Sequence, residues 1–344
     1  MFHVKQLKMN NYKHVLTTKD FLVTGDKFDI SKNLKTGILE THPKPSRHDL
    51  HKYYDSKDYM SHSQKPSSFF SFCYRQIRAI STKRKLKICR NQLKTRSLKN
   101  KARILDVGCG TGYFLLKCLE KGWFVKGIEN NKNARNTLPP EISKHVYEGF
   151  EPLKQQSEKF DIITMWHSLE HLYDLTSAIS DLKSLLRPNG TIIVACPNHK
   201  SFDAVFYKEN WAAYDVPRHL WHFDKKSMRD LFLTHRVFLK KTIPMNWDSF
   251  FVSILFTVFS GNGIASGVVL SILSFLYYIF YQLLPFWNQW EQGKSNLCLS
   301  LLLSWLRLWI IPYLHRPYYL KPVSYTHLRA HETLRYLVCR LLLE

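Results

Sequence analysis

The chain has 344 residues, room for one large domain with appendages or for two modest ones. Its 50 Lys plus Arg against 27 Asp plus Glu give a formal charge of +23, which points to an anionic partner: nucleic acid, a membrane surface or an acidic metabolite. Seven cysteines without a C-x-x-C pair argue against a zinc knuckle or a disulfide framework, and Met1–Asp20 lacks the apolar core of a secretory signal, so a reducing, cytoplasmic setting is expected.

From Met1 to about Ser68 the chain is polar, with Pro43 and Pro45 as punctuation, and reads as an irregular amino-terminal arm. Twelve Lys or Arg and no acid follow between Arg75 and Arg103. Phe69, Phe72, Cys73, Ile77 and Ile80 recur at helical spacing there, so residues 1–98 are expected to form an arm and a basic amphipathic helix. Over residues 99–248 strand and helix patterns alternate. Arg103–Val107, Phe124–Ile128, Lys144–Tyr147, Phe160–Met165 and Thr191–Ala195 read as strands, Tyr113–Lys121 and Leu175–Leu186 as helices, and Leu231–Thr242 as a helix end and a further strand. Such alternation calls for a parallel sheet covered on both faces.

Residues 249–322 change character, since Ser249–Trp290 contains no Asp, Glu, Lys or Arg. Ile264–Phe286 is long enough to span a bilayer, and Leu297–Leu314 is a further apolar block. Either 264–314 is a membrane hairpin holding the protein to the inner face of a membrane, or the segment is frame-disturbed. Val323–Thr333 (VSYTHLRAHET) resembles a sequencing adapter translated in one frame, so residues 323–344 are set aside from fold reasoning.

The chemistry concentrates in Ile104–Leu116, ILDVGCGTGYFLL. A buried strand ends at Val107, a loop with Gly108, Cys109, Gly110 and Gly112 turns, and a helix begins. Bare backbone there can lie against a ligand, and free amides at a helix start can hold an anion. The G-x-G-x-G spacing differs from the G-x-G-x-x-G of dinucleotide enzymes. Asp106 suits an ammonium better than a pyrophosphate, and Glu129, closing the second strand, can accept from two ribose hydroxyls. A tight turn without a ligand is the bland alternative for the loop alone. With both acids in place the set fits S-adenosylmethionine, adenine lying near Glu148, Gly149 and Phe150, and Asn130, Trp166 and His167 completing the contacts.

LDVGCGTG, GIEN, FDIITMWHSLEHLYD and LLRPNGTIIVACPN resemble the conserved segments of class I S-adenosylmethionine-dependent methyltransferases. The flavour is that of the type 23 methyltransferase family and of the ubiquinone-biosynthesis O-methyltransferase. The resemblance covers roughly residues 12–255 and implies an α/β fold: a doubly wound, largely parallel, Rossmann-like sheet with an amino-terminal arm and helix as a cap and an apolar carboxyl-terminal appendage. Two departures stand out. Phe28–Pro45 lacks the cysteines of a zinc ribbon, so no structural metal is implied, and the last antiparallel strand of relatives is not found in the apolar tail.

Methyl transfer asks the protein to orient, desolvate and remove a proton. Candidate bases follow the fourth and fifth strands: His171, His219 and Asp215, with His167, Arg218 and His222 nearby. His171 alternatively caps the next helix. Glu170 beside it has the chemistry of a metal ligand, but no ligand spacing accompanies it, and no metal is assigned. Trp211, Tyr214, Trp221 and Phe223 form either an apolar lid over a flat acceptor or a loop packed on the sheet edge. The basic helix is either an RNA- or membrane-binding patch or, preferred, a solvated face covering the cofactor mouth. The expected activity is methylation of a small, lipophilic acceptor, on oxygen before carbon or nitrogen. An RNA methyltransferase, a nicotinamide-dependent oxidoreductase and a non-catalytic cofactor-binding membrane protein are the rivals.

Overall fold

The computed structural model describes residues 11–54, 69–94, 102–245 and 336–343. The amino-terminal stretch is the first difference from expectation, because it is no irregular arm. Tyr12–Lys19 (β1), Lys27–Asn33 (β2) and Leu39–His42 (β3) form an antiparallel meander. In β2 the alternation that makes a half-buried strand is visible, Phe28 and Ile30 facing in and Lys27 and Asp29 facing out. These inward residues, with Leu39, pack on Trp211, Tyr214 and Val216, so the aromatic segment is core rather than lid. Trp211 and Tyr214 meet edge to face at 5.0 Å, Phe223 is fully buried, and Trp221 is half-buried.

Phe69–Lys94 is one 26-residue helix, α1. Among its described side chains Ser81, Thr82, Ile88, Cys89, Gln92 and Leu93 are buried, whereas Ile80 is 45% exposed.

The large sheet begins with Arg103–Val107 (β4) and the helix Tyr113–Leu119 (α2), then Phe124–Ile128 (β5), Val146–Tyr147 (β6) and Phe160–Trp166 (β7). The helix Leu175–Leu185 (α3) leads into Leu186–Pro197 (β8). Every residue of β7 is buried, as a central parallel strand requires. Asp174 caps α3 by accepting from the Ser177 N–H. The Pro188–Asn189–Gly190 stop expected between helix and strand is absorbed as an irregularity in β8, where pairing with β7 jumps from Phe160↔Leu186 to Ile162↔Thr191.

After the two-residue strand Trp221–His222 (β9), Lys225–Leu233 (α4) starts in a capping box between Asp224 and Ser227. Val237–Pro244 (β10) follows. β9 pairs with β3, giving a four-stranded sheet ordered β1-β2-β3-β9. The large sheet is ordered β10-β11-β8-β7-β4-β5-β6, its last five strands parallel. β11 is Tyr336–Leu343, antiparallel to both β8 and β10. The closing antiparallel strand is thus present, and it comes from the segment set aside, not from the apolar tail. Main-chain pairing between two ready edges makes small demands on side chains, so this seat does not bear on the origin of residues 323–344. The tail, 249–322, with the expected hairpin at 264–314, lies outside the described residues. Among the described residues no helix is long and apolar enough to cross a membrane.

Candidate cofactor and acceptor sites

The glycine loop leaves the carboxyl end of β4, where open α/β sheets take their ligands. Gly108, Gly110 and Gly112 all hold left-handed φ, of +75°, +55° and +70°. They do so for different reasons. A Cβ on Gly112 would stand 2.2 Å from Ile142 Cδ1, so that glycine lets the chain pack, whereas a Cβ on Gly110 would meet nothing within 4 Å. Gly110 therefore presents open backbone. Its N–H donates to Glu129 Oε2 at 2.8 Å, and the Asn131 N–H donates to Oε1 at 2.8 Å. Each carboxylate oxygen keeps a lone pair for a further donor. Arg135 fixes the backbone here by donating to the carbonyls of Glu129 and Asn130 at 2.6 and 2.8 Å.

Asp106 is 3% exposed, and the Thr164 hydroxyl donates to its Oδ1 at 2.6 Å. Burial raises its pKa to about 7 against the lowering effect of Thr164 and of Lys85 on α1. A cation arriving here would ionise it. Cys109 is buried, and burial pushes its thiol up, so it is packing rather than nucleophile. Trp166 is 8% exposed, edge-on to Phe114 at 5.7 Å, with the Lys85 ammonium 5.0 Å from its ring and its Nε1 without a hydrogen-bond partner. Gly149 is open, while Phe150 is half-buried against the core. Missed by sequence reading are Arg78, which donates to Thr111 Oγ1 at 2.7 Å and lies over Tyr113, and Lys85. They bring α1 down onto the loop, as the preferred reading of the basic helix expects.

A second cluster forms where the β7 end meets the segment before β9. His167, at φ +58°, sets its Nδ1 3.6 Å from the carboxylate of Glu170. Glu170 is 1% exposed, and neither oxygen has a hydrogen-bond partner. Burial pushes its pKa up, but the imidazoles of His167, His219 and His171 outweigh this and hold it below the ordinary value. A buried charge so poorly solvated is costly unless a cation or a donor joins it.

His171 and His219 stack edge to face at 4.6 Å. The carbonyl of Arg218 lies 3.0 Å from His171 Nδ1 and that of Ala213 2.8 Å from His219 Nδ1. Carbonyls only accept, so each Nδ1 carries the hydrogen and each Nε2 keeps its lone pair. Burial, then the charge of His219, lowers the pKa of His171 to about 4, which keeps the ring neutral at neutral pH. One donor atom each from Glu170, His171 and His219 lies within 4.8 Å of the others, a carboxylate and two imidazoles that fit a divalent cation. Sequence spacing gives no hint of this trio, because it is tertiary contact that sets His219 near Glu170, the Leu220 N–H donating to the Glu170 carbonyl at 2.9 Å.

Asp215 is committed elsewhere. Its Oδ1 accepts from Arg218 Nε at 2.9 Å and from the Arg218 guanidinium at 2.7 Å, leaving Oδ2 3.9 Å from His219 Nε2. Arg218 is itself 1% exposed and also donates to Asp20 Oδ1 and to the Tyr53 carbonyl, both at 2.8 Å. Asp215 thus reads as an anchor for Arg218. His222 lies against Thr41 Oγ1 at 3.0 Å, and burial drops its pKa well below the usual value. Tyr54, another residue sequence reading missed, sets its hydroxyl 3.1 Å from His171 Nδ1.

Two cavities, of about 580 and 780 Å³, open at the opposite, amino-terminal ends of β7 and β8. Their charges are spent internally, Arg187 on Asp161 at 3.0 Å and Lys183 on the His235 carbonyl at 3.1 Å. They are not the site.

Residues 80–235 match the family model described as Methyltransferase domain. The ubiquinone biosynthesis O-methyltransferase of Haemophilus ducreyi is 30% identical over 141 residues, covering 36% of this chain and 58% of that protein. Its namesake from Actinobacillus pleuropneumoniae serotype 5b is 29% identical over 163 residues, covering 42% and 62%. The chain therefore spans less than two thirds of the length of these curated relatives. Among solved structures, magnesium protoporphyrin IX methyltransferase from Synechocystis, with bound SAH, gives a TM-score of 0.41 at 15% identity over 54% of this chain and 84% of that one. A SAM dependent methyltransferase from Archaeoglobus fulgidus gives 0.36 at 19% identity over 51% and 79%.

Proposed function

We infer that this chain, whose residues 80–235 belong to the class I S-adenosylmethionine-dependent methyltransferases, moves the methyl group of that cofactor onto an oxygen of a small, lipophilic acceptor. The observation that carries the reading is the bare backbone of Gly110 beside a carboxylate, Glu129, that already bridges two loop amides. Glu129 takes the ribose hydroxyls, Asp106 faces the ammonium, and Trp166 and His167 border the sulfonium. The sulfonium supplies the leaving group, so the protein's tasks are alignment, exclusion of water and proton removal.

The relatives named for ubiquinone biosynthesis favour a phenolic hydroxyl as the nucleophile. His219 takes that proton on Nε2, with the neutral ring of His171 packed against it, and the Glu170 carboxylate stabilises the imidazolium formed. Where a divalent cation occupies Glu170, His171 and His219, it would supply Lewis-acid activation of the same hydroxyl, with these three residues holding it. A polymeric acceptor such as RNA finds less support, since the amino-terminal sheet of the same chain covers the segment carrying His219.

Calorimetric titration with S-adenosylhomocysteine tests the cofactor half. The wild type should bind, with Asp106→Ala and Glu129→Ala each at least roughly tenfold weaker, the loss of one charge-assisted hydrogen bond. Equal affinity in all three proteins would remove these residue roles.

A further inference from the structure

α1 has two faces with opposite commitments. Arg78, Ser81, Lys85, Ile88, Gln92 and their neighbours point toward the body, where Arg78 and Lys85 reach Thr111 and Trp166. At about 100° per residue, Ile80, Lys83, Lys87 and Arg90 fall in one row on the opposite side. All four are exposed, Ile80 at 45%. Lys83, Lys87 and Arg90 make no ion pair among the described residues, and the helix contains no Asp or Glu to neutralise them.

We propose that this outward row of α1 is a docking face for an anionic lipid bilayer. A row of cations on one face of α1 matches a planar sheet of phosphates, and the exposed Ile80 heads that row, where an aliphatic chain enters the headgroup layer. RNA, the other polyanion that such a row attracts, is an outcome of the test below. The opposite face of the same helix rests on the glycine loop. Docking therefore sets α1 between the bilayer and the glycine loop. The inference goes beyond the methyltransferase reading and holds whichever acceptor is used.

The test is co-sedimentation of the full chain with vesicles of phosphatidylcholine alone and of phosphatidylcholine mixed with phosphatidylglycerol. Any apolar contribution from residues 249–322 acts on both kinds, so the difference between them isolates charge. The wild type should prefer the mixed vesicles, less so as salt rises, and Lys83→Glu/Lys87→Glu/Arg90→Glu should lose that preference by roughly a hundredfold or more, with unchanged affinity for S-adenosylhomocysteine. Should the charge-reversed protein melt early, the corresponding triple Gln variant decides by the same readout. Equal binding to both vesicle kinds, or a preference kept by the folded variant, overturns the proposal. So does a wild type that single-stranded RNA strips from mixed vesicles while the variant ignores RNA.

Discussion

Asp106 shows how much one buried carboxyl can couple. With its pKa raised to about 7 by burial, the folded, unliganded protein holds a proton there that the unfolded chain, near pH 4, has already released. The stability this group contributes is full below about pH 4 and is lost as pH rises through about 7. An ammonium docking beside it would reverse the preference. At pH 6, binding of S-adenosylhomocysteine should therefore release close to one proton from Asp106, seen as a buffer-dependent heat in calorimetry, and at pH 8 almost none. Asp106→Asn should erase the difference between the two pH values; a proton release that survives the substitution assigns it elsewhere. The importance of Asp106 is legible in the sequence, from its place before the glycines. Its ionisation is not, because Thr164, Lys85 and the depth of burial are facts of packing.

At the level of elements, the amino-terminal meander matters most. Strands β4, β5 and β7 announce themselves as apolar runs, since parallel strands are buried on both faces. β1 to β3 bury one face only, and β9 is two residues long, so their polar half hides them in a sequence reading. Beside the apolar cluster and the pairing of β3 with β9, the small sheet is held to the rest by the ion pair between Asp20 and Arg218, both essentially inaccessible. Burial pushes the Asp20 carboxyl up, but the Arg218 guanidinium and the N–H groups of Thr24 and Leu22 hold it below the ordinary carboxylate range. Asp20→Asn should cost about 3 kcal/mol in denaturant unfolding, the low end for breaking a buried pair because Asp215 still faces the guanidinium. A cost under about 0.5 kcal/mol, the size of an ordinary surface change, would mean the pair is not a fastener. Of the two readings of the aromatic segment, a lid or a loop packed on the sheet edge, the covering sheet favours packing, with Trp211, Tyr214 and Val216 against Phe28, Ile30 and Leu39.

For the whole molecule, the strands that carry the glycine loop, Glu129 and Trp166 are β4, β5 and β7, whereas β11, among the described residues, pairs with β8 and β10. A chain ended at residue 322 should accordingly keep its affinity for S-adenosylhomocysteine within about threefold, the scatter of distant, independent changes. A larger loss by calorimetry would show that sheet closure at that edge is felt across the fold. The class of fold and the cofactor loop follow from local patterns of glycine, acid and apolar residues. The cluster around Glu170 does not, because its members come from three stretches, around residues 54, 170 and 218, that only tertiary structure unites.

Arg218 also sets a limit on modularity. Family similarity begins at residue 80, yet the guanidinium rooted beyond that point closes its hydrogen bonds on Asp20 and on the carbonyl of Tyr53. Begun at residue 80, the polypeptide would leave Arg218 with Asp215 alone of its two carboxylates and would uncover the apolar surface of Trp211, Tyr214 and Val216. Borrowing this domain for a fusion, or trimming it for crystals, therefore means carrying the preceding meander along with it.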